Sequence, residues 1–177
     1  MSAMRRTAFL FAACTAALAL VATAVGAPTL GDGSLVVKNG SAPWTAKDDG
    51  TGDIPVVALK ITGSVIGHVD GYGRIVIDAG SDINADAQVT GAGRPLDWKR
   101  SDTASMWTAN DFTFRAVNGT FTILIYGSDV NLVAVGNGIV RLAGDPDAPR
   151  HDGKYSLNDA DFKSLPNQQS PKLTIGG

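Results

Sequence analysis

Phe112-Thr113-Phe114-Arg115-Ala116-Val117-Asn118-Gly119-Thr120-Phe121-Thr122-Ile123-Leu124-Ile125 is the stretch that decides the fold class. Phe112, Phe114 and Ala116 alternate with Thr113, Arg115 and Val117. After Asn118-Gly119, Phe121, Ile123 and Ile125 alternate with Thr120, Thr122 and Leu124. A period of two puts alternate side chains on opposite faces of an extended segment. An Asn-Gly pair between two such runs predicts a two-residue hairpin. Its register would set Val117 opposite Thr120, Phe114 opposite Ile123 and Phe112 opposite Ile125. Six apolar side chains would then share one face, and the other face would be mostly polar.

The same grammar extends in both directions. Asn131 to Val135 is expected to meet Gly138 to Leu142 across Gly136-Asn137, with Val133, Val135, Val140 and Leu142 on one face. Further strands are expected at Lys154 to Leu157 and Lys172 to Ile175. The prolines of Asp145-Pro146-Asp147-Ala148-Pro149 mark a loop. An internal echo links the halves. Leu59 to Ser64 leads to Gly71-Tyr72-Gly73 and an apolar strand ending at Ile77. Leu124 to Ser128 leads to Gly136-Asn137-Gly138 and an apolar strand ending at Leu142. Their Gly63 and Gly127 stand 64 residues apart, too far for a solenoid rung. The echo suggests two related β-meander halves packed face to face. The expected fold is all-β, an antiparallel β-sandwich, with a small β-barrel as the alternative.

Composition agrees. All 17 acidic residues are Asp, and there are 21 glycines. Asp and Gly favour turns and caps, whereas the missing Glu favours helices. Arg5-Arg6 followed by the apolar run from Thr7 to Val25 and small residues at Ala24, Gly26 and Ala27 has the form of a secretion signal. Cleavage is expected between Ala24 and Ala27, and an uncleaved membrane anchor is the alternative. The expected organisation is a signal peptide at 1–26, a flexible Gly-, Asp- and Pro-rich leader at 27–53 and one β-sandwich at 54–177. Cys14 leaves with the signal, so the remaining domain has no thiol for a disulfide, a nucleophile or a metal. Loss of both arginines takes the formal charge from −2 to −4. This acidic, unclustered balance argues against nucleic acid as a partner.

The runs Phe112 to Phe121, Gly127-Ser128-Asp129-Val130, Ala134 to Gly144 and Asp152-Gly153-Lys154-Tyr155-Ser156 resemble a family of uncharacterised secreted actinobacterial proteins. That family shows patterns close to FRAVGG, GSGI, AVGxGxVxLxG and DGxYS. Asn118 and Asp129 stand here where the family usually has glycine. The resemblance covers about the last 60 residues well and Gly63 to Ile77 more loosely. It implies export and β-structure and brings no catalytic residue.

Chemistry-bearing motifs are sparse. The sequence holds no G-x-S-x-G, H-E-x-x-H or P-loop pattern. Gly71-Tyr72-Gly73 and Gly136-Asn137-Gly138 read as turns. His68 lies near Asp70, and His151 lies between Arg150 and Asp152, but no spacing selects a Ser-His-Asp trio. Asp145, Asp147 and Asp152 could gather around calcium, although three side chains supply fewer oxygens than calcium usually takes. No catalytic residue, metal ligand or cofactor is assigned. Trp98, Trp107 and Tyr72 are the candidate binding residues, since an exposed aromatic ring can stack on a sugar or grip a partner. For each Trp, the structural alternative is to plug one end of the core. The leading expectation is a secreted, non-catalytic domain at the cell envelope, binding a protein, a glycan or copies of itself. A cell-envelope hydrolase using Asp and His is the alternative, and a secreted protease inhibitor a weaker one.

Overall fold

A computed structural model describes residues 32–43, 53–97, 101–145 and 153–177. Residues 1–26, read above as a secretion signal, and residues 27–31 and 44–52 of the expected leader lie outside the described residues, as do Trp98, Asp147, His151 and Asp152. Among the described residues, no helix is long and apolar enough to cross a membrane.

The described chain is all-β. Its strands are β1 (Gly33–Gly40), β2 (Val57–Asp78), β3 (Asp86–Thr90), β4 (Leu96–Asp97), β5 (Ala104–Gly127), β6 (Val130–Leu142), β7 (Lys154–Leu157), β8 (Lys163–Ser164) and β9 (Leu173–Ile175). All pairings are antiparallel. The long strands β2, β5 and β6 lie side by side with β2 in the middle. They are long enough to serve two layers. In the first layer, β4 is followed by 104–109, 73–78, 122–127, 57–60, 139–142 and β9. In the second, β3 is followed by 113–117, 65–69, 130–134, β1, β7 and β8. One contiguous core joins them, with Leu59, Ile61, Ile75 and Ile123 from the first layer and Leu35, Val65, Phe114 and Leu132 from the second. A sheet apolar on one face must bury that face, and here it does so by folding over itself. The sheet is not closed into a barrel.

The fold line is a row of glycines. Gly119, Gly63, Gly136 and Gly33 are neighbours across β5, β2, β6 and β1. Gly63 has φ 150° and Gly136 has φ 145°, values that L side chains rarely adopt. A β-carbon on Gly63 would overlap the Val135 carbonyl oxygen, and one on Gly136 would overlap that of Thr62. The backbones of β2 and β6 therefore meet where only glycine fits. The echo seen in the sequence marks these places. Gly63 pairs with Gly136, and Gly73 pairs with Gly127, so each copy supplies one partner of each glycine pair.

The hairpin expected at Asn118-Gly119 does not form. β5 runs straight through it. Phe114 lies opposite Gly67, while Ile123 lies opposite Leu59 and Ile77. A type I′ hairpin needs positive φ at both central residues. Asn118 has φ 59°, but Gly119 is not among the residues with positive φ. The result is a bulge: between the pairs Gly63–Gly119 and Val65–Ala116, β2 has one residue, Ser64, and β5 has two, Val117 and Asn118. The extra residue shifts the alternation by one. Phe112, Phe114, Ala116, Phe121, Ile123 and Ile125 are accordingly all buried, as expected, but through a bulge.

The second expected hairpin is also absent. β6 crosses Gly136-Asn137-Gly138 while staying paired with β2. Its buried face carries Val130, Leu132, Ala134, Val140 and Leu142, and Val133 points outward at 46 % exposure. Gly71-Tyr72-Gly73 likewise lies within β2. The leader needs correction too. Gly33–Gly40, expected ahead of the folded body, is an interior strand between β6 and β7, with Leu35 and Val37 in the core. The strand expected at Lys154 to Leu157 is β7, and the one expected at Lys172 to Ile175 is β9.

Candidate functional site

Leu59 and Ile61 face the core, so Ala58 and Lys60 face outward from the first layer. Register places their neighbours. Ala58 lies between Leu124 and Arg141, and Lys60 lies between Thr122 and Ile139. These six residues form two rows across β5, β2 and β6. Ala58 is the short side chain among longer ones, and the surface sinks at that point. The result is a groove of about 170 Å³, with Lys172 completing its rim ahead of β9. Ala58, Leu124 and Ile139 are among the apolar residues that line it. The exposed surface of the groove is almost wholly apolar, so Lys60, Arg141 and Lys172 line it with their aliphatic stems and carry their charges beyond it, and no acidic residue lines it. Arg141 is steadied by donating from Nη1 to Gln169 Oε1 at 3.3 Å. Beyond Leu124 the upper row continues into Val76 and Met106, which are buried in a small second cluster. One end of the groove thus abuts packed apolar side chains.

A polar cleft of about 380 Å³ adjoins the groove and shares Lys60 and Thr122 with it. Its acids serve the local backbone. Asp78 accepts from Thr103 Oγ1 at 2.7 Å, Ser101 Oγ at 2.8 Å and the Gly80 N–H at 2.9 Å. The Thr103 hydrogen bond, helped by those from Gly80 and Ser101 and opposed by partial burial, holds the Asp78 carboxyl below its ordinary pKa. Asp82 accepts from the Asn84 and Thr120 N–H groups. This pattern ties the turn after β2 to β5.

The aromatic residues singled out in the sequence do not share a surface. Trp107 lies in β5 opposite Ile75 and packs against the core. Tyr72 is 46 % exposed and lies opposite Asn110. It stands three positions from Ile75 along β2 without a register shift between Tyr72 and Gly73, so the two rings project from opposite faces. Trp98 lies outside the described residues. His68 Nε2 stands 3.2 Å from Asp70 Oδ2, and both side chains are about half exposed or more. The register neighbours of His68 are Thr113 and Asn131. Asp145 is described, but its proposed calcium partners Asp147 and Asp152 are not. Among the described residues, no three His, Cys, Asp or Glu side chains group as a metal site.

The groove was not visible in the sequence. Its residues come from four segments, at 58–60, 122–124, 139–141 and 172. No local motif joins them, and only the strand register brings them together. No family model, curated protein or solved structure matches the chain.

Proposed function

We propose that this protein is an exported, non-catalytic β-domain that binds a ligand at the cell envelope, and that the groove over Ala58 is its ligand surface. The observation that carries the reading is an apolar depression ringed by Lys60, Arg141 and Lys172 on a protein whose formal charge is negative. Clustered cations beside apolar surface invite an amphipathic or anionic partner. The signal-like residues 1–26 support the location. Rigid strands support the binding role, because groups on a sheet are held more precisely than groups on loops.

The test is retention of the purified protein on isolated cell-envelope membranes. The wild type is compared with Lys60→Gln/Arg141→Gln/Lys172→Gln. Retention of the wild type and its loss in the triple variant at unchanged thermal stability is the expected result. Equal behaviour of the two proteins contradicts the reading. Tyr72 favours a second reading, in which its exposed ring stacks on an envelope glycan. Retention on glycan that is lost only in Tyr72→Ala would select that alternative.

A further inference from the structure

We propose that the groove holds a single-chain fatty carboxylate, with the alkyl chain over Ala58 and the head group among Lys60, Arg141 and Lys172. This rests on the reading of the groove as the ligand surface and names its ligand class.

The width points to one chain. Leu124 and Ile139 stand on the two strands that flank β2, and neighbouring strands lie about 4.8 Å apart. The flanking strands are thus about 9.6 Å apart at the backbone, and because Leu124 is level with Ala58 and Ile139 with Lys60, a single chain would lie obliquely between the two side chains. Ala58 provides the floor because it ends at its β-carbon. A short length of chain can be buried, with the remainder following the surface.

Charge points to the head. Lys60 and Arg141 are diagonal neighbours across β2 and β6. Lys172 rims the groove with them. The Arg141 fork, steadied by Gln169, matches the two oxygens of a carboxylate. A neutral chain would leave these cations without a ligand contact, and a short-chain anion would leave the apolar floor uncovered.

The probes are dodecanoate, dodecanol, acetate and dodecyl phosphate, titrated into the purified protein by calorimetry. Dodecanoate should bind, and about tenfold more tightly than dodecanol. Acetate should show no measurable binding. Exposed ion pairs are individually weak, so each single Lys60→Gln, Arg141→Gln or Lys172→Gln should cost about two- to fivefold. Ala58→Leu fills the floor without touching a charge and should weaken dodecanoate at least tenfold. An unchanged unfolding midpoint shows that each variant is folded. Equal binding of dodecanoate by wild type and Ala58→Leu overturns the proposal, as does equal binding of dodecanoate and dodecanol. Dodecyl phosphate binding tenfold more tightly than dodecanoate overturns the carboxylate assignment. Envelope retention by a protein that fails to bind dodecanoate sinks this inference and leaves the broader reading standing. Dodecanoate binding that Ala58→Leu abolishes, without envelope retention, does the reverse.

Discussion

Gly63→Ala should be among the most damaging single-methyl additions in this protein. The new β-carbon would overlap the Val135 carbonyl oxygen and stand 2.9 Å from the Gly136 Cα. Both obstacles are backbone of the adjacent strand β6, so no side chain can swing aside. Overpacking of this kind costs about 1–3 kcal/mol. Alanine would also have to hold a φ of 150°, and such strain adds about 1–3 kcal/mol. Restriction of the unfolded chain offsets about 0.4–1 kcal/mol. The expected net loss is about 1–6 kcal/mol, a large part of the ~5–15 kcal/mol by which domains are stable. With a urea slope of about 2 kcal/mol/M, the midpoint should fall by about 0.5–3 M. Gly93→Ala is the control, because an added β-carbon there meets nothing within 4 Å. It should stay within about 0.5 kcal/mol of wild type. If urea unfolding gives the two variants the same midpoint, the glycine row is not a fold line and the argument fails.

Other perturbations test other parts of the framework. Leu35→Asp puts an unpaired charge in the core, so an interior β1 predicts loss of cooperative unfolding by calorimetry; a folded variant near wild-type stability would return Gly33–Gly40 to the leader. Asn118→Val forces a β-branched residue to φ 59° and should cost about 1–3 kcal/mol in urea unfolding, whereas Asn118→Gly should be neutral or mildly stabilising. Asp78 is depressed by its hydrogen bonds from Thr103, Gly80 and Ser101. Its contribution should be complete above about pH 5 and fade as pH falls through about 4 and below. Asp78→Asn should therefore show a smaller loss of melting temperature between pH 6 and pH 3 than wild type, and an equal loss would rule out this role.

Alternation in the sequence identified the buried faces of β5 correctly, because burial follows from a period of two whatever the partner strand is. It could not identify the partners. Phe114 and Ile123 would be buried in a local hairpin, and they are buried against β2 instead. Asn-Gly suits a bulge as well as a turn, since Asn118 alone takes positive φ. In β6 the hairpin assumption gave the right face for Val140 and Leu142 and the wrong one for the first half, where Val133 turned out exposed. The glycines of the echo were legible as a pattern, but their pairing across β2, β5 and β6 depends on contacts far apart in sequence. Ala58 carries no local signal at all. Its importance comes from the longer side chains that register places around it. Trp107 drew notice as an aromatic residue near polar ones, and of its two readings the core one fits, because its strand position directs it to the core.

The continuity of β5 through Asn118-Gly119 is what the two-layer fold depends on. Backbone nuclear Overhauser contacts measured on the labelled protein test it directly. They should link Ile123 to Leu59 and Phe114 to Gly67. Contacts running instead from Phe114 to Ile123 and from Ala116 to Phe121 would reveal a local hairpin and contradict the folded-over sheet.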